Sequence, residues 1–212
     1  MFEVVRSLFE SDRKTNFVAL GTMQNDSNSY HSAFVIQYDK NLSEFHYTGS
    51  SIELEGINHD YYHKITNTIH PDEVPSFIAQ CLNIIKKANP KYGYFYAGES
   101  YNSDGIHFSN NDLGQRMTCV GFCLNVLKGF LEEDYIEYSD WEENSHDEEN
   151  YLEKFCARNG ISPEKVAPFH RRITPKEILA SGFFVSTPIK KSQIDAKLSE
   201  LQEKFNSIFS TQ

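Results

Sequence analysis

No apolar run in this 212-residue chain approaches the ~20 residues needed to span a bilayer, so no integral membrane segment is expected. The opening Met1-Phe2-Glu3-Val4-Val5-Arg6 lacks the basic-then-apolar layout of a signal peptide. The expectation is a cytoplasmic protein, or one exported without a cleaved signal. Cysteine is sparse. Cys81, Cys119, Cys123 and Cys156 are too few for a disulfide framework and read as reduced thiols. Dense Lys/Arg clusters are missing too, since Arg171-Arg172 and Lys190-Lys191 are only pairs. With a formal charge of −10, the chain is repelled by nucleic acid and by anionic membrane surfaces, and neither is an expected partner. Repeats, low-complexity segments and linkers are also lacking, which leaves residues 1–212 as a single domain.

What is present is a globular composition, 39% hydrophobic and 14% aromatic. Phe17-Val18-Ala19-Leu20 is a short apolar run ending at Gly21. His31 to Tyr38 is rich in β-formers, Asp39 to Leu42 has turn chemistry, and Ser43 to Thr48 resumes the strand, so the three read as a hairpin. Ser51 to Glu55 alternates and reads as a further strand. Phe77, Ile78, Cys81, Leu82 and Ile85 form an amphipathic stripe that stops before Asn89-Pro90. A second helix begins near Cys119, with Val120, Cys123, Leu124, Leu127 and Leu131 on its buried face. The stretch 132–149 is strongly acidic, and its end starts a helix that Gly160 stops. Thr174-Pro175-Lys176-Glu177 is a capping box whose helix closes at Gly182. Phe183-Phe184-Val185 reads as a strand, and residues of about 190–209 as a C-terminal amphipathic helix.

The chemistry concentrates at Thr118-Cys119-Val120-Gly121-Phe122, where a loop becomes an apolar helix. A thiol at a helix N-terminus feels the positive end of the helix dipole, which favours the thiolate. The same terminus offers backbone N–H groups to a developing oxyanion. His31 and His46 lie on the two hairpin strands. With a turn centred near residues 39 and 40, His31 lies opposite residue 48 and His46 is its diagonal neighbour. One imidazole is then placed to act as base and the other to orient it.

Tyr30-His31-Ser32-Ala33-Phe34-Val35-Ile36 followed by Glu44-Phe45-His46-Tyr47 resembles the two histidine strands of the circularly permuted papain-fold hydrolases. These are relatives of the NlpC-type cell-wall peptidases and of the lecithin:retinol acyltransferase group. In the permuted members the histidine strand precedes the cysteine helix, as it does here. Cys119-Val120-Gly121-Phe122 resembles their Cys-Ser-Gly-Phe helix start, and Thr174 to Ser181 resembles a Pro-containing segment that follows the cysteine helix in bacterial members. The resemblance implies an α+β fold with a papain-like core, an antiparallel sheet packed against the cysteine-bearing helix. It implies Cys119 as nucleophile, His31 as general base and His46 as the third polar residue. The activity would be that of a cysteine hydrolase, peptidase or amidase, or an acyltransferase, acting on a peptide, amide or lipid-ester substrate. It implies no metal or organic cofactor. Two features depart from the pattern: Val120, where many relatives have Ser, and the acidic insertion at about 132–149.

Other residues compete for roles. Among Asp104, Asp112 and Gln115, in the loop before Cys119, Gln115 is the candidate to aid the oxyanion or substrate, set against plain loop hydrogen bonding. Tyr30, beside His31, is a candidate substrate contact. His59 and His63 share an i, i+4 spacing, but no zinc-type partner motif accompanies them, and with His70 they read as surface histidines. Cys81, Cys123 and Cys156 read as core. The rival to the enzyme is a non-catalytic module in which the acidic stretch and the C-terminal helix dock a basic protein partner.

Overall fold

The computed structural model describes residues 3–5, 15–24, 29–96, 98–109, 114–143 and 150–209, with 3–5 and 203–209 as backbone only. Its main element is a six-stranded antiparallel sheet. The strands are β1 (Glu3–Val5), β2 (Phe17–Gln24), β3 (Tyr30–Tyr38), β4 (Asn41–Tyr47), β5 (Ile52–Gly56) and β6 (Tyr61–Ile65), in the order β1-β6-β2-β3-β4-β5. The β3–β4 hairpin closes through Asp39 and Lys40, both at positive φ (48° and 68°), the two-residue turn whose twist suits adjoining strands. Pairing of Tyr38 with Asn41 starts β4 before the expected Ser43 and keeps the expected register.

The sheet curls. Only residues 57–60 join β5 at one edge to β6 beyond β2. In a flat sheet these strands stand about 19 Å apart. The chain from Gly56 to Tyr61 reaches only about 17 Å at full extension. A hydrogen bond from Tyr61 on β6 to Glu44 on β4 crosses β2 and β3 and closes the concave side. Gly21 makes room for it, because a Cβ there would stand 3.0 Å from the Tyr61 ring.

Strand alternation assigns the two faces. Val18, Leu20, Phe34, Ile36, Phe45 and Tyr47 belong to the main core with the helices, whereas Phe17, Ala19, Ala33, Val35 and Tyr61 pack together on the concave side. Next come α1 (Val74–Lys87), β7 (Lys91–Tyr92), β8 (Ser100–Tyr101), β9 (His107–Phe108), β10 (Arg116–Met117) and α2 (Cys119–Leu131). The chain ends with α3 (Tyr151–Asn159), α4 (Pro163–Val166), α5 (Pro175–Ser181) and α6 (Lys191–Phe209). Helix α2 lies on β3, β4 and β8. A Cβ at Gly129 would stand 1.7 Å from the Tyr101 carbonyl oxygen, so only glycine permits that approach.

The α+β class and the antiparallel sheet against the cysteine helix are as expected. Thr174 and Glu177 form their capping box, and Gly160 ends α3 in the left-handed region. Two expectations are corrected. Phe183 to Val185 form no strand; instead Phe183 lies beneath the ammonium groups of Lys64 and Lys197. Residues 61–65 form β6, so His63 is buried in the sheet and not on the surface. Among the described residues no helix is long and apolar enough to cross a membrane.

Candidate active site

Cys119 is the first residue of α2. Thr118 caps the helix, its hydroxyl accepting from the Gly121 N–H at 3.2 Å and its carbonyl from the Phe122 N–H at 2.9 Å. The N–H groups of Cys119 and Val120 neighbour the half-buried Cys119 sulfur, as does Ser32 on β3, whose buried hydroxyl has no hydrogen-bond partner among the described residues. Burial is the largest influence on this thiol and pushes its pKa up; the contacts from Ser32, Val120 and its own N–H only partly offset that. The sequence expectation of a resting thiolate is therefore corrected. Desolvation of the charged form outweighs the helix N-terminus.

His31 and His46 are brought together, Nε2 to Nδ1 at 2.8 Å, with the rings near-perpendicular. They meet where the sheet opens. The β3–β4 ladder runs from Tyr38↔Asn41 to Phe34↔Phe45 and stops, while β2 stays paired with β3 as far as Tyr30. Over residues 30–33, β3 is thus bonded on one side, and the imidazole pair spans the slit on the other. Burial, then His46 and His59, push the His31 pKa down to about 4, so its ring is neutral at physiological pH.

Cys119 approaches this slit from the helix side, where alternation directs Ser32, while His31 and His46 belong to the concave side with Glu44. No hydrogen bond joins Cys119 to His31; their link is Ser32, which neighbours His31 in the chain and lies near the sulfur. Beside Thr118, Val120 and Gly121 lies a narrow cleft of about 20 Å³, room for about one water, walled by Tyr94, Tyr96 and Arg172.

Gln115 is not placed for an oxyanion role. Its side-chain oxygen accepts from the Asn89 N–H at 3.1 Å and the Tyr101 hydroxyl at 3.4 Å, and its carbonyl accepts from Lys91 at 2.7 Å. It ties the end of α1 to β7 and β8, the loop hydrogen bonding that was the competing reading. Asp112 lies outside the described residues. Tyr30 lies next to His31, with Lys176 of α5 4.4 Å over its ring. Cys81 and Cys123 are wholly buried core residues.

The acidic stretch is largely spent internally. Asp134 pairs with Lys128 at 2.6 Å, Glu143 with Arg171 at 3.0 Å, Glu133 accepts from Thr187, and Asp140 accepts from the Lys191 N–H at 3.0 Å. Its residues 144–149 lie outside the described residues. Helix α6 is docked through Ile194 and Leu201.

Sequence reasoning missed Ser32, Glu44, Glu55 and Tyr61. The alternation of Glu44 with His46, and of Glu53 with Glu55, was the available signal that these side chains share a face. Comparison with known proteins brings no relative: no family model, curated protein or solved structure matches the chain.

Proposed function

We propose that this protein is a thiol-dependent hydrolase or acyltransferase acting on an amide or ester bond, with Cys119 as nucleophile, His31 as base and His46 orienting His31. The observation that carries the reading is the 2.8 Å His31–His46 contact at the open end of the β3–β4 ladder, one residue from the Ser32 that lies near the Cys119 sulfur.

When His31 Nε2–H donates to His46 Nδ1, the His31 lone pair lies on Nδ1, the nitrogen left to receive a proton. A neutral base beside a protonated thiol favours proton transfer during attack over a resting ion pair. Proton transfer requires His31 Nδ1 to reach the sulfur across the slit, a tightening of the kind substrate binding brings about. The sulfur adds to the carbonyl carbon as its proton passes to His31. The N–H groups of Cys119 and Val120 face the oxyanion. His31 returns the proton to the departing nitrogen or oxygen, leaving a thioester on Cys119. Water, or another acceptor, gives its proton to His31, breaks the thioester and restores the thiol.

The test is the covalent intermediate. Incubation with p-nitrophenyl acetate, a quench in acid and peptide mapping should find one acetyl group on Cys119 and none after Cys119→Ala. Acetylation confined to lysines, or spread equally over the cysteines, would refute the mechanism. The rival binding module has fewer free charges to draw on, because Glu133, Asp134, Asp140 and Glu143 have partners within the chain.

A further inference from the structure

On the concave face, behind the imidazole pair, Glu44 Oε1 and His46 Nε2 are enclosed and have no hydrogen-bond partner among the described residues. Glu44 is 0% exposed and His46 5%. The other Glu44 oxygen takes the Tyr61 hydroxyl, and the other His46 nitrogen takes His31. A buried carboxylate oxygen and a buried imidazole nitrogen left unsatisfied each carry the cost of desolvation, larger for the charged group. Glu55, directly across from Glu44 in the β4–β5 register, adds a second carboxylate. Like charges directly opposite on neighbouring strands repel. Glu53 and Glu55 each bring an oxygen 4.0 Å from His46 Nε2, too long for a hydrogen bond. One ligand atom each from Glu44, His46 and Glu55 lies within 4.8 Å of the others.

We propose that Glu44, His46 and Glu55 bind a divalent first-row transition-metal cation of the zinc class. A single ion between them would satisfy both enclosed atoms and cancel the Glu44–Glu55 repulsion. One imidazole with two carboxylates is a donor set such ions take, with water completing the shell. Ligands of a tetrahedral ion at about 2.0–2.2 Å stand about 3.4 Å from one another, so the three must close by roughly 1 Å. Glu55, whose side chain is 44% exposed, has the freedom to swing in.

Binding has a consequence for the thiol site, and this part rests on the function proposed above. Metal on His46 Nε2 places the His46 proton on Nδ1, which then donates to His31 Nε2. The His31 proton must move to Nδ1, and the base loses its lone pair toward Cys119. The cation is therefore an inhibitor of the thiol chemistry.

The test uses the full chain carrying Cys119→Ser, so that no thiol at that position contributes ligands, stripped with EDTA, dialysed free of it and titrated with Zn²⁺ by calorimetry. One site is expected, weakened more than about tenfold by Glu55→Gln and unchanged by His70→Gln, which removes the exposed His70–Asp72 pair as an adventitious binder. Because Glu55 is half-exposed, Glu55→Gln should fold, and its melting temperature in EDTA verifies that. No saturable binding, or equal affinity after Glu55→Gln, overturns the site. In the Cys119 protein, Zn²⁺ should slow acetylation of Cys119 and should do so far less after Glu55→Gln; an equal effect in both would overturn the inhibitory role. If Cys119 never acetylates but the Zn²⁺ site survives its own test, the thiol reading fails and the cation site stands.

Discussion

At Cys119 two effects oppose each other: the helix N-terminus favours the thiolate, and burial disfavours it. Burial is the larger. Limiting iodoacetamide should therefore alkylate Cys119 slowly at neutral pH and faster only above the ordinary thiol range; a fast plateau beginning near pH 5 would instead mean a resting thiolate–imidazolium pair. His31 makes a separate prediction, measured in EDTA so that protons alone occupy the pair. Its folded pKa of about 4 lies below the unfolded value of 6.5. Between those values the unfolded chain binds the extra proton, so stability is full above pH 6.5 and falls as the pH drops toward 4. The loss is on the order of 3 kcal/mol, and His31→Asn should flatten that part of a denaturant-midpoint profile against pH. An unflattened profile would deny His31 its buried, neutral state. The His31–His46 neighbourhood was legible because a two-residue turn fixes register. The effect of burial on Cys119 was not, because desolvation depends on what the fold lays over a residue.

At the scale of elements, α2 is fixed from both ends. Thr118 caps its start, and Thr118→Ala should cost about 1 kcal/mol in chemical denaturation. Gly129 lets its last turn rest on the Tyr101 carbonyl, and Gly129→Ala should cost about 3 kcal/mol or more, since a backbone oxygen cannot give way like a side chain. A negligible change at Gly129 would mean that α2 and β8 are not in such close approach. Helices α1 and α2 and the capping box of α5 were readable because periodicity and caps are local signals. Strand β6 was not. Tyr61 to Ile65 is short, and its place between β2 and β1 is set by distant partners. Phe183 to Val185 failed for the converse reason: an apolar run was used for packing under Lys64 and Lys197 and not for a ladder.

Across the whole molecule, the curl of the sheet lets Tyr61 reach Glu44 and gathers His46 and the glutamates on one concave face. Closure over distant strands leaves no mark in local pattern, so the face stayed hidden in the sequence. The acidic stretch likewise reads as a solvated run yet acts as a strap. Arg171 holds it, donating to the carbonyls of Tyr138 at 3.2 Å and Trp141 at 2.9 Å while pairing with Glu143. Arg171→Ala should cost roughly 1–3 kcal/mol by thermal unfolding; an unchanged midpoint would return the strap to solvent. If Cys119 and His31 act as one unit across the slit, the rate of Cys119 acetylation in folded His31→Ala protein will show it. A loss of about 100-fold or more is expected, with a smaller loss for His46→Ala and no further loss when the two changes are combined. A His31→Ala protein that acetylates Cys119 at the wild-type rate would contradict it.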